Sequence, residues 1–146
     1  MKHIISALCI CIFIFFGSCK KETQNNSSSI VGTWELRQAS GQITINYPSG
    51  NGNILKFTAT NYESDTNGVL QKSGQYLIVA DPTVEQNVCL VYPPGQFTNR
   101  IIYDNDTISH KQFIQISNNK LSIVSGCYSY DGGSTREYEK IESNPQ

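Results

Sequence analysis

From residue 30 to residue 141, apolar and polar positions alternate in short runs divided by turn-forming residues, and no stretch keeps a 3.6-residue apolar period over several helical turns. Side chains repeating at every second position lie on one face of an extended strand, so this pattern forces strand pairing and leaves little for helices. Trp34, Leu36 and Ala39 mark a first strand, with Glu35 and Arg37 on its other face. Ile43, Ile45 and Tyr47 alternate with Thr44 and Asn46 until Pro48-Ser49-Gly50-Asn51-Gly52 breaks the chain. Residues 54–60 place Leu55 and Phe57 together, residues 61–63 extend or follow that strand, and Asp65-Thr66-Asn67-Gly68 turns. Strands are expected at 74–80, ended by Asp81-Pro82; at 87–92, stopped by Pro93-Pro94-Gly95; and at 100–103, before Asp104-Asn105-Asp106. Residues 111–117 and 120–125 form a hairpin about Asn118-Asn119, which tolerate positive φ. Asp131-Gly132-Gly133 then leads into a last strand, 135–141.

About eight to ten strands with short connections define an all-β chain, an antiparallel up-and-down barrel or a sandwich. Closure into a barrel also removes the exposed edges that a chain so rich in β-formers would otherwise present. Residues 30–142 suffice for one domain and its core but not for two, and 143–146 are expected to be a disordered tail.

The first residues have a different character. Lys2 and His3 precede an almost unbroken apolar run from Ile4 to Phe16, too short for a comfortable bilayer crossing of about 20 residues. A basic start, an apolar stretch and small residues after it describe a secretory signal, here residues 1–18. Phe16-Gly17-Ser18-Cys19 resembles the lipobox of bacterial lipoproteins, with Phe16 where that family usually has an aliphatic residue. The resemblance implies cleavage before Cys19, diacylglycerol on its thiol and acylation of the new amino terminus with chains such as palmitate. The competing reading is an ordinary signal peptide cut near Ser18 that leaves Cys19 a free thiol. Residues 19–29 carry no apolar side chain beyond Cys19, so they are expected to be a flexible tether with a span of roughly 17 Å. Lys20, Lys21 and Glu22 resemble the charged sorting segment of Bacteroidetes lipoproteins, which implies the cell envelope and an outer-membrane anchor; a single Glu leaves the membrane face open.

Composition narrows the function. Without the signal, ten Lys or Arg stand against twelve Asp or Glu, a net charge of about −2, and no basic stripe offers a nucleic-acid surface. His110 is the one histidine left, and it falls in no metal-ligand spacing with Cys89 and Cys127, so no metal or cofactor is expected. Cys89 and Cys127 are compatible either with one disulfide in an exported protein or with two buried thiols.

Gly32-Thr33-Trp34 at the start of the first strand resembles the Gly-x-Trp of the lipocalin superfamily. Leu55-Lys56-Phe57, Gly74-Gln75-Tyr76, Leu121-Ser122-Ile123 and the closing run 136–141 are similar, in order and spacing, to the lipocalin-like lipoproteins of Bacteroidetes. The resemblance implies a lipocalin-like barrel over residues 30–142, with Trp34 as the plug of its closed end and Gly32 admitting the strand against it. It also implies that Arg136 packs as a cation over that Trp.

No catalytic set emerges. A Ser or Cys nucleophile needs a base, and His110 beside Lys111 reads as a solvated loop histidine; the pairs Glu63/Asp65, Asp104/Asp106 and Glu137/Glu139 sit in turns or on a solvated face. The eight tyrosines are the most distinctive content, amphipathic rings suited to apolar or amphipathic ligands, though most are expected in the barrel wall. Phe57 and Tyr76 are the first candidates for a ligand pocket. The expected function is therefore non-enzymatic: binding of a small apolar or amphipathic ligand by a membrane-anchored barrel. The alternative is a barrel with a filled interior, meeting a protein partner or acting as an inhibitor through loops such as 93–99.

Overall fold

The computed structural model describes residues 29–141. Nine strands follow one another: β1 (Gly32–Ser40), β2 (Thr44–Asn46), β3 (Ile54–Phe57), β4 (Asn61–Thr66), β5 (Val69–Ala80), β6 (Asn99–Tyr103), β7 (Gln112–Ser117), β8 (Lys120–Ser125) and β9 (Ser134–Ile141). All pairings are antiparallel; each strand from β3 to β9 lies beside the next, and β9 returns to β1. The result is a closed eight-stranded up-and-down barrel, and β2 is an annex. It pairs with Gln38–Ser40 on the edge of β1 that β3 leaves free beyond Glu35.

Turn chemistry explains the meander. Asn67 and Gly68 both have positive φ (52° and 77°), the twist a two-residue hairpin between β4 and β5 requires. Asn118, at φ 54°, does the same between β7 and β8.

The alternation on β1 breaks once, and the break has a structural cause. Trp34 and Leu36 face inward opposite Lys140 and Tyr138, but the register with β9 then slips between Leu36 and Gln38. This bulge spends Arg37 as an extra residue, so that Ala39, not Gln38, shares the inner face with Arg136. Outside, Arg37 binds both Glu35 and Glu139, and loop 48–52 covers Glu35 until only 4% of it is exposed.

Two cores result. Inside the barrel Trp34, Leu55, Phe57, Ile114 and Leu121 pack with Ile30 beneath. Outside it, Phe113 and Val124, opposite each other on β7 and β8, face away from the interior and are roofed by residues 81–98. The strand expected at 87–92 is absent from this roof. Its place is taken by a short helix, α1 (Val84–Val88), followed by irregular chain. Val84 and Val88, one helical turn apart, are the residues that bury themselves on Phe113 and Val124, which an extended strand would present differently.

The roof is fixed at two points. At its start the Asp81 carboxylate accepts hydrogen bonds from the Thr83 amide and hydroxyl and from Lys111 Nζ at 3.0 Å. Burial works against its charge, yet these donors outweigh it and draw the carboxyl down to about 2. Past the helix, Cys89 is joined to Cys127 by a disulfide between the roof and the β8–β9 connection.

Candidate functional site

The inner-facing residues divide the barrel into a closed floor and an open end. Trp34 is fully buried, its indole N–H donates to the Ile30 carbonyl at 2.7 Å, and Phe57 packs nearby against the edge of Tyr76 at 5.0 Å. The cation over the Trp34 ring is Lys140, 5.2 Å from its centroid. Arg136 does not take that position, contrary to what the lipocalin resemblance implies. Lys140 stands directly across from Trp34 in the β1–β9 ladder, whereas Arg136 stands across from Ala39, well up the strand toward the other end. Gly32, at φ 138°, opens β1, and a Cβ there would collide with the Lys140 side chain.

Above this floor lies a cavity of about 830 Å³, rimmed by the β4–β5 hairpin and the 104–111 loop. A smaller recess of about 280 Å³ adjoins it and shares Leu55, Ser64, Thr66, Arg136 and Tyr138. Leu55, Ile101 and Ile123 form apolar wall, and the phenols of Tyr62, Tyr103 and Tyr138 ring it. Strand pairing places these groups together: Ile123 faces Arg136 and Leu121 faces Tyr138 across β8–β9. Phe57 and Tyr76 do not line either space. They lie in the floor, where the Tyr76 hydroxyl donates to the Thr58 carbonyl at 2.7 Å.

The phenols are held as neutral donors. Burial, reinforced by the Asp104 carboxylate that accepts its hydrogen bond at 2.9 Å, pushes the Tyr62 phenol up to about 12. Burial also raises Tyr103 strongly, with Tyr138 and Tyr62 beside it. Tyr138 is raised by burial while the Arg136 charge pulls the other way. Asp104 is itself occupied: besides Tyr62 it accepts the Gln75 amide at 3.0 Å, and it fits only because Gly74 has no Cβ to strike its carboxylate. Asp106, at the rim, accepts from the Ile108 and Ser109 amides and the Ser109 hydroxyl. The exposed His110 also borders the mouth.

The cations differ from the carboxylates. Lys111 donates a hydrogen bond to Asp81, and Arg100 approaches the same carboxylate at 3.4 Å although its buried Nε makes no hydrogen bond. Arg136 and Lys72 line the cavity, and among the described residues no carboxylate oxygen comes within 4.0 Å of either. Among the described residues no three His, Cys, Asp or Glu side chains gather as metal ligands would, and no helix is long and apolar enough to cross a membrane.

Sequence reasoning missed Tyr62, Tyr103, Tyr138 and Lys72 as cavity residues. A signal existed in Arg136-Glu137-Tyr138, whose outer members share a face, but alternation alone does not say which face is inner. Cys19 lies outside the described residues. Fold and cavity thus define a small closed antiparallel barrel with one plugged and one open end. No protein-family model, curated protein or solved structure matches this chain.

Proposed function

We propose that this protein is a lipid-anchored, lipocalin-like binding protein of the cell envelope that holds a small amphipathic ligand in its barrel and performs no chemistry on it. The observation that carries this reading is the open cavity of about 830 Å³ above the Trp34 floor. Ligand sites commonly measure about 300–1,000 Å³ and combine apolar walls with a few placed polar groups. Leu55, Ile101 and Ile123 are such walls, and the three phenols and Arg136 are such groups. The carboxylates at the rim, Asp104 and Asp106, are tied into turns by the hydrogen bonds they accept, which leaves them poorly placed as general bases. Mass spectrometry of the protein under native conditions, followed by extraction, is expected to find a bound amphiphile carried through purification or taken up from an envelope extract. A barrel that stays empty after exposure to such an extract would overturn the reading.

The anchor rests on Phe16-Gly17-Ser18-Cys19 and the polar tether after it. Three acyl chains would hold the protein at the membrane, since even two suffice for stable anchoring. Metabolic labelling with palmitate is expected to mark the wild type and not Cys19→Ala; label retained in the variant refutes lipidation at this residue.

A second reading has one observation in its favour. Val91 is 87% exposed on the roof that the disulfide and the Asp81 cluster pin down, a rigid apolar projection suited to a protein partner. Pull-down with wild type and Val91→Asp from envelope extracts separates a roof-dependent partner from none.

A further inference from the structure

We infer that the ligand carries a single anionic group, a carboxylate or an acidic ester, on an apolar body, and that Arg136 is the residue that selects it. The inference rests on the proposed binding function and adds the charge of the ligand and the residue that reads it.

Four observations converge on Arg136. Its place opposite Ile123 on β8 and Ala39 on β1 turns it into the barrel, on the same face as Tyr138. It borders both the main cavity and the adjoining recess, so a ligand in either space meets it. Among the described residues it has no carboxylate within 4.0 Å, a state it shares with Lys72, Lys120 and Lys140, of which Lys72 alone also lines the cavity. Finally, the carboxylates that share its cavity are already engaged, Asp104 by Tyr62 and Gln75 and Asp106 by Ser109 and Ile108.

Arg136 is exposed at the open end of the barrel, where its one inner partner is the Tyr138 phenol and no carboxylate neutralises its charge. It is suited to an anion brought in from outside. A guanidinium offers a planar fork of donors that matches carboxylate or phosphate oxygens two at a time. Beside it, the phenols of Tyr103 and Tyr138, kept protonated by burial, can donate further hydrogen bonds to an anion, whereas that of Tyr62 is already given to Asp104. Leu55, Ile101 and Ile123 then take the apolar body. Lys72, on the mouth side and opposite Ser64, adds positive potential along the approach without the fork.

The test is a matched pair of probes, decanoate and 1-decanol, which share a chain and differ in charge, titrated against the folded domain by calorimetry. Wild type is expected to prefer decanoate by roughly ten- to a hundredfold, the range of a charge-assisted hydrogen bond. Arg136→Gln is expected to bring that preference close to unity, and Arg136→Lys to keep part of it. Each variant is first shown to melt as the wild type does, and Lys72→Gln serves as a second comparison with a smaller loss. Equal affinity of wild type for the two probes overturns the anion and leaves the binding function standing. Binding of neither probe by wild type overturns both. A preference that survives Arg136→Gln, or falls further in Lys72→Gln, overturns the assignment to Arg136. Decyl phosphate in a parallel titration distinguishes an acidic ester from a carboxylate as the favoured head.

Discussion

Truncating Trp34 to alanine tests the architecture most directly, because it is the largest fully buried side chain and sits in the closed end of the barrel. Trp34 is fully buried, and removing a buried Trp or Phe side chain costs about 3–5 kcal/mol in lost burial and cavity. The indole N–H is also the donor that satisfies the Ile30 carbonyl at 2.7 Å; leaving that carbonyl dry adds about 1 kcal/mol. The Lys140 ammonium, 5.2 Å above the ring, loses a contact worth about 0.5–1 kcal/mol. The expected loss is therefore about 5 kcal/mol, a third or more of the stability of an ordinary domain. In thermal terms it is a fall of roughly 15–25 °C for a domain of this size. Urea denaturation followed by circular dichroism, with the disulfide intact, measures it. Trp34→Phe keeps a six-membered aromatic ring but loses the N–H and the pyrrole part of the indole, so about 1–3 kcal/mol is expected there. Trp34 is the only tryptophan, so native fluorescence reports on the plug alone. Its emission is expected to shift in Lys140→Met and to stay put in Arg136→Met. A loss below about 1 kcal/mol in Trp34→Ala, against the burial that predicts several, would refute the reasoning. So would an emission that follows Arg136 instead of Lys140.

Two other perturbations follow from the roof. The Asp81 carboxyl is drawn down to about 2 in the folded state, so it binds its proton less readily there than in the unfolded chain. Its contribution is complete above the ordinary value of 3.8 and is lost as pH falls toward 2, about 2 kcal/mol in all. Acid titration of stability is expected to be shallower over that window in Asp81→Asn, and an unchanged slope refutes the assignment. Replacing both Cys89 and Cys127 with alanine opens a link across 38 residues and is expected to lower stability by about 3–4 kcal/mol through unfolded-chain entropy. Melting of the double variant beside the oxidised wild type measures it, and coincident transitions would show the bridge to be idle.

The strands of this barrel were legible because their cause is local. Alternation at period two, turn residues such as Asn67-Gly68 and Asn118-Asn119, and Pro or Gly stops act within a few residues, and the nine strands fall largely where those signals put them. The stretch 87–92 misled for the same reason: Val88, Leu90 and Tyr92 alternate, but the surface that buries Val84 and Val88 is made by Phe113 and Val124 on distant strands. Local propensity yielded to a tertiary contact there.

The site was less legible, since it depends on register between strands far apart in sequence. By itself, the sequence determined that the chain is all-β, that it closes most economically as a barrel, and that Trp34 stands near the start of the first strand. Only the tertiary structure decided which cation meets that ring. The β1–β9 ladder sets Lys140 opposite Trp34, and the bulge at Arg37 carries Ala39 inward beside Arg136. That pairing frees Arg136 for the cavity, moves Phe57 and Tyr76 into the floor, and brings Tyr62, Tyr103 and Tyr138 around the opening. A single-residue slip in a ladder turns every later side chain to the other face, and no periodicity within one strand records where its partner slips.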